Sequence, residues 1–250
     1  MIRNWINNLL ANSHRKRAIK RLRELEYFLP SAKARFAVPF VFKGNGLFRS
    51  IRPKQSPREI EQAYEAVCEL NPRRVLELGT ARGGSLYLWA QAATDDAVIV
   101  SVDLPGGEFG GGYSQARMPL YESFARDGQK IVLMRTDSQQ PETLGKVKAA
   151  MGDVPVDFAF IDADHRYEGV KIDYLLYSPL VRPGGLIGFH DIYHDREDVG
   201  IEVFHLWNQL KEHYGDLTRE LLVPDKHGRF IGLGLLRVPQ EGLGNDLKLR

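Results

Sequence analysis

Asp157-Phe158-Ala159-Phe160-Ile161-Asp162-Ala163-Asp164-His165 and, further along, Gly184-Gly185-Leu186-Ile187-Gly188-Phe189-His190-Asp191 decide the fold of this chain. Each is a short apolar run that ends in acids and a histidine. A strand with one wet face alternates apolar and polar residues. These runs do not, so both faces must be covered, as in a parallel sheet flanked by helices. Similar runs at Val75–Leu78, Ala97–Val102 and Ile131–Met134 each lead into helical or loop sequence. Ahead of them, Ser56-Pro57-Arg58-Glu59 sets a cap residue, a first-turn proline and an acid before Ile60, Tyr64, Val67 and Leu70, which signals a helix. The last two runs, Thr218–Val223 and Phe230–Val238, are separated only by Pro224-Asp225-Lys226-His227-Gly228-Arg229. So short a link holds no crossover helix, so this pair must be an antiparallel hairpin. The expected architecture is α/β: a doubly wound, mostly parallel, seven-stranded sheet with an antiparallel C-terminal hairpin.

Composition fits a folded chain. Its 250 residues are 43% apolar and 26% charged, with 34 Lys+Arg against 32 Asp+Glu, enough for a core and too balanced for wholesale disorder. The small net charge gives no reason to expect nucleic acid. The single cysteine, Cys68, excludes an internal disulfide framework and a cysteine zinc site, which suits a reducing compartment. No apolar run approaches the ~20 residues of a membrane span, and Met1-Ile2-Arg3-Asn4-Trp5 lacks the pattern of a secretion signal. A cytoplasmic location is the expectation.

Residues 1–36 carry nine Lys/Arg against Glu24 and Glu26. Ile2, Trp5, Ile6, Leu9 and Leu10 fall on one helical face, and Ile19, Leu22 and Leu25 extend a second stretch until Pro30, so the segment reads as one or two basic amphipathic helices. Packing of the apolar face on the body or on a second subunit, which points to a homo-oligomer, is preferred to attachment at an anionic membrane. Three regions follow: a basic helical extension and lid over 1–54, a ligand-binding domain over 55–240, and a tail over 241–250.

Ligands of open parallel sheets lie beyond the carboxyl ends of the strands. The first such end, Glu77-Leu78-Gly79-Thr80-Ala81-Arg82-Gly83-Gly84-Ser85, runs through glycines into a helix, as a nucleotide-cofactor loop does, although tight turns need glycine too. Asp103 closes the second strand, where an acid would grip ribose hydroxyls; starting a turn with Pro105 is the alternative. Gly106 to Gly112 holds five glycines and reads as a flap. Asp137-Ser138 is placed either to meet an adenine ring or to cap a helix. At the next two tips Asp162, Asp164 and His165 meet His190 and Asp191. Oxygen-rich donors with one imidazole suit Mg²⁺ or Mn²⁺, whereas Asp164 as a helix cap and His190 as a satisfied strand-end residue are the structural alternative. The aromatic residues, Trp89 and Trp207 among them, fall at helical spacings and are expected in the core.

Taken together, the Glu77–Ser85 loop, Asp103, Asp162-Ala163-Asp164-His165 and Gly184–Asp191 resemble class I S-adenosylmethionine-dependent methyltransferases, with a Rossmann-like sheet. The nearest resemblance is to the metal-dependent O-methyltransferases of the catechol and caffeoyl-CoA type and to cephalosporin-hydroxylase-like proteins, over roughly residues 55 to 238. It implies S-adenosylmethionine held by Glu77, Gly79, Thr80, Gly83, Ser85, Asp103, Asp137 and Ser138. It further implies a divalent metal on Asp162, His190 and Asp191, and His165 as catalytic base, with Asp164 the alternative base or ligand. Two departures stand out: His190-Asp191 replaces the family's usual Asp-Asn pair, and His165 replaces its catalytic lysine. The implied reaction is methylation of a hydroxyl on a small molecule such as a sugar, a vicinal diol or a natural product. A metal-free methyltransferase using His165, an NAD-binding protein, and a peripheral binding protein recruited by the basic N-terminus are the competing readings.

Overall fold

The computed structural model describes residues 2–107, 112–193, 200–224, 230–243 and 249, with side chains from residue 10 onward. Strands β1 (Arg74–Leu78), β2 (Val98–Asp103), β3 (Lys130–Arg135), β4 (Val156–Ile161), β5 (Val181–His190), β6 (Thr218–Leu221) and β7 (Leu233–Arg237) form one sheet in the order β3-β2-β1-β4-β5-β7-β6. The first five pair in parallel, and β7 runs antiparallel to both β5 and β6. The sheet order turns back between β1 and β4, which opens a crevice at their carboxyl ends.

Helices follow from the sequence between strands. The N-terminal extension folds as α1 (Ile2–Phe28), α2 (Ala32–Arg35) and α3 (Val38–Val41). Next come α4 (Pro57–Leu70), α5 (Gly84–Ala92), α6 (Met118–Glu122), α7 (Pro141–Met151), α8 (Tyr167–Tyr177) and α9 (Val203–Tyr214). The box at Ser56 and Glu59 starts α4 as expected, the Ser56 N–H donating to Glu59 Oε1 at 2.7 Å. Alternation along the strands divides the core between the two sheet faces. Val75, Ile99, Phe158, Phe160 and Leu186 pack with residues of α1, α4 and α5; Leu76, Val100, Ala159, Ile187 and Phe189 pack with residues of α7, α8 and α9. Trp89 and Trp207 are fully buried, one in each half.

Three expectations can be set against the fold. The N-terminal segment is a single long helix whose second half docks on the body: Ala18 and Leu22 are buried, Ile19 and Leu25 pack beside them, and the Arg23 guanidinium donates to Ser123 O at 2.7 Å. Its cations Lys16, Arg17, Lys20 and Arg21 are exposed. The extension shares one core with the sheet, through Val38, Phe42, Phe48 and Ile51. Secondly, β3 is covered only in part, because it is an edge strand with a neighbour on one side. Thirdly, the centre of the glycine flap (108–111), His194, His227, the turn at 225–229, most of the tail and the apolar side chains of Ile2, Trp5, Ile6 and Leu9 lie outside the described residues. Among the described residues no helix is long and apolar enough to cross a membrane.

Candidate active site

A cavity of about 480 Å³ opens at the carboxyl ends of the strands, and Gly79, Asp103, Asp137, Ser138, Asp162, His165, His190 and Asp191 all line it. Glu77, Thr80, Gly83 and Ser85 do not. They sit behind the wall and shape it: Ser101 donates to Glu77 Oε2 at 2.6 Å and shares a 2.6 Å hydrogen bond with Thr80. Gly83 takes φ +81 as it opens α5, where a side chain would collide with the Tyr121 ring. Burial pushes the Glu77 carboxyl up to about 8, against hydrogen bonds from Ser101 and Ser85, and among the described residues its Oε1 has no hydrogen-bond partner.

On the β1–β2 side the wall is polar. Asp103 is buried, and its two oxygens accept from the backbone N–H groups of Ala81 (2.7 Å) and Gly112 (2.8 Å). A carboxylate has further lone pairs, so hydroxyl donors can still be received. Burial raises the Asp103 pKa, with the backbone donors opposing. Asp137 accepts from the Gln139 N–H at 2.9 Å and from the Gln140 amide at 2.9 Å, which fixes the turn ahead of α7 while Ser138 and Gln139 face the cavity. The cap position of α7 is Gln140, so Asp137 fixes the turn before the helix and does not cap it, while Asp137 and Ser138 line the cavity.

The β4 and β5 tips converge as the sequence suggests. His190 Nδ1 lies 3.3 Å from Asp162 Oδ1 and 3.3 Å from Asp191 Oδ1. His165 Nδ1 contacts Asp191 Oδ2. Asp191 holds φ +59, a left-handed conformation that costs roughly a kcal/mol or more and turns its side chain back toward β4. Burial disfavours charge on both histidines, yet the flanking Asp191 and Asp162 outweigh it, so His165 is raised and His190 well raised above the ordinary imidazole value. Asp191 is held far below the usual carboxylate range by His190 and His165 in spite of burial.

Asp162, His165 and Asp191 each offer a donor atom within 4.8 Å of the others. Two carboxylates with an imidazole are a donor set that fits a hard or borderline divalent cation. The sequence reading made His190 the third donor and His165 the base; both rings reach the carboxylates, His165 from the half-exposed side and His190 from the buried side. Asp164 is committed elsewhere: it pairs with Arg166 at 2.7 Å and accepts the Arg166 N–H at 3.0 Å ahead of α8, the capping alternative.

Sequence reasoning missed Gln55 and Glu59. The Gln55 amide donates to Asp162 Oδ2 at 2.6 Å, and Glu59 Oε1 lies 3.4 Å from His190 Nε2. Glu59 was legible only as a helix cap, and nothing in the sequence shows that α4 begins beneath β5.

Comparison with known proteins shows what the chain is similar to. Residues 76–192 match the family described as methyltransferase domain. That matched segment, just under half of the chain, is similar to methyltransferase domains. The chain's fold is that of solved O-methyltransferases. TomG from Streptomyces achromogenes, involved in tomaymycin synthesis and solved with SAM, is 18% identical, with a TM-score of 0.55 over 83% of this chain and 87% of that one. The O-methyltransferase from Bacillus cereus, solved with SAH, is 17% identical, with a TM-score of 0.56 over 74% and 82%. A curated protein named "Uncharacterized protein y4gI" from Sinorhizobium fredii (strain NBRC 101917 / NGR234) is 28% identical over 171 residues, which is 67% of this chain. The chain spans 17% of the length of that curated relative. The matched methyltransferase segment begins within β1 and ends just past Asp191, so it contains every cavity residue named here as a candidate.

Proposed function

We propose that the chain is an S-adenosylmethionine-dependent, divalent-cation-assisted O-methyltransferase acting on a hydroxyl of a small molecule: a sugar, a vicinal diol or a natural product. One observation carries this reading. A single cavity joins the nucleoside wall of Gly79, Asp103, Asp137 and Ser138 to the carboxylate pair Asp162 and Asp191. S-adenosylmethionine and SAH, present in the solved TomG and Bacillus cereus O-methyltransferases, fit that wall: Asp103 would receive the ribose hydroxyls, and Asp137 and Ser138 the adenine edge. Glu77, Thr80, Gly83 and Ser85 would act from behind, by holding the loop. The terminal antiparallel β7 and the acidic tips argue against NAD.

Asp162 and Asp191, with His190 on the buried side, would hold Mg²⁺ or Mn²⁺, which when bound supplies stabilisation of an acceptor hydroxyl in its anionic form. The remaining work belongs to the chain. With the cofactor along the wall and the acceptor at the carboxylates, an acceptor oxygen would face the methyl in line with sulfur. As the new C–O bond forms, the C–S bond breaks with its electron pair passing to sulfur, and His165 takes the acceptor proton. Asp191 holds the His165 ring in position, and a base so placed contributes about 10²–10⁴ in rate. The clustering of His165 with Asp162 and Asp191 favours a second reading, in which His165 is a ligand in place of a base. We place the chain in the cytoplasm on its cysteine usage, and read the α1 surface as one for a second copy.

Calorimetry with SAH against NAD tests the cofactor. Micromolar binding of SAH, lost in Asp103→Ala, is expected; binding of NAD in its place would overturn the reading.

A further inference from the structure

We propose that Glu59, in the first turn of α4, is a positioning residue for the cation site and acts through His190. This rests on the metal reading above. Glu59 is completely buried. A capping acid does not need that. Its bond to the Ser56 N–H would be served equally at the surface; burial of a carboxylate is costly unless a charged or N–H partner compensates. The compensation is His190: Glu59 Oε1 lies 3.4 Å from Nε2, while Nδ1, the opposite ring nitrogen, lies 3.3 Å from oxygens of both Asp162 and Asp191.

That arrangement is a carboxylate, an imidazole and a donor pair in series. A carboxylate on Nε2 takes the N–H there, fixes the ring's rotation and turns Nδ1 toward the site. The same turn of chain grips the other side: Gln55 donates to Asp162 Oδ2 at 2.6 Å. The start of α4 therefore forms a floor under the two strand tips. Glu59 does not line the cavity, so its effect must appear in cation affinity and in the state of the His190 ring.

The test compares wild type, Glu59→Gln and Ser56→Ala. Glutamine keeps the volume and can still accept the Ser56 N–H, but it loses the charge on Nε2; alanine at 56 breaks the cap and leaves Glu59 and His190 in place. Free Mn²⁺ is followed by electron paramagnetic resonance during titration, and melting is followed by circular dichroism. We expect Glu59→Gln to weaken Mn²⁺ binding by about tenfold to a hundredfold, and Ser56→Ala to melt earlier with wild-type Mn²⁺ affinity. Wild-type affinity in Glu59→Gln overturns the positioning role and leaves the metal reading standing. A wild-type protein that binds no Mn²⁺ overturns both. If Glu59→Gln does not fold, ¹⁵N-histidine spectra of the wild type with Mg²⁺ decide: the proton of His190 is expected on Nε2, and a proton on Nδ1 alone overturns the proposal.

Discussion

Gly79 and Asp162 are packed so closely that a β-carbon on the glycine would run into the backbone oxygen of the aspartate. The glycine loop after β1 and the acidic tip of β4 are thereby one mechanical unit, reinforced by the Asp162 N–H donating to Leu78 O at 2.9 Å.

Gly79→Ala tests that unit. The residue sits at φ +94, so alanine adds backbone strain to the collision, and a loss of about 1–3 kcal/mol of stability is expected. Because both walls shift together, affinities for SAH and for Mn²⁺ should fall together in calorimetric titrations. Loss of one with the other unchanged would show that the walls are independent.

Asp103→Asn keeps the shape of the side chain and removes its charge. Hydrogen bonds to a charged group contribute about 1.5–3 kcal/mol, so SAH affinity should drop by about tenfold to a hundredfold, while Mn²⁺ affinity stays near wild type. An unchanged SAH affinity would remove Asp103 from the ribose site.

His165→Gln separates base from ligand. As a base, its loss lowers methyl transfer by about 10²–10⁴ and leaves Mn²⁺ binding near wild type. As a ligand, its loss weakens Mn²⁺ binding as well. The base role predicts the first outcome.

Glu77 predicts a pH dependence of stability. Its folded value of about 8 lies above the ~4.3 of a free glutamate, so the folded state holds the proton more tightly. The stability this group contributes is full below ~4.3 and is lost as pH rises toward 8, by up to ~1.4 kcal/mol per unit. Glutamine at 77 carries no such proton. Urea unfolding should therefore show Glu77→Gln gaining on wild type from pH 5 to pH 8; a constant difference would mean that Glu77 is already ionised in the fold.

Much of this was written along the chain. Continuous apolar runs such as Val156–Ile161 disclosed covered strands, and the short link after Val223 disclosed the reversal that places β7 between β5 and β6. Acids at strand ends disclosed the site, because the topology of a parallel sheet puts all such ends on one edge. What stayed hidden depends on packing between distant segments. Glu59 and His190 are 131 positions apart, and nothing between them signals their contact. Likewise Glu77, Thr80 and Ser85 look like cofactor residues in the sequence, yet the pleat of β1 and the tight turn at Gly79 direct them behind the cavity. Asp164 and His165 are neighbours of the same chemical promise, and only the start of α8 draws the first away to Arg166.

Crystals grown with SAH and Mn²⁺ and measured at the manganese absorption edge test the central claim most directly. The account predicts one strong anomalous peak between the side chains of Asp162 and Asp191, with the nucleoside lying along Asp103 and Ser138. At saturating Mn²⁺, the absence of a peak between those two carboxylates, or a nucleoside bound away from them, would contradict it.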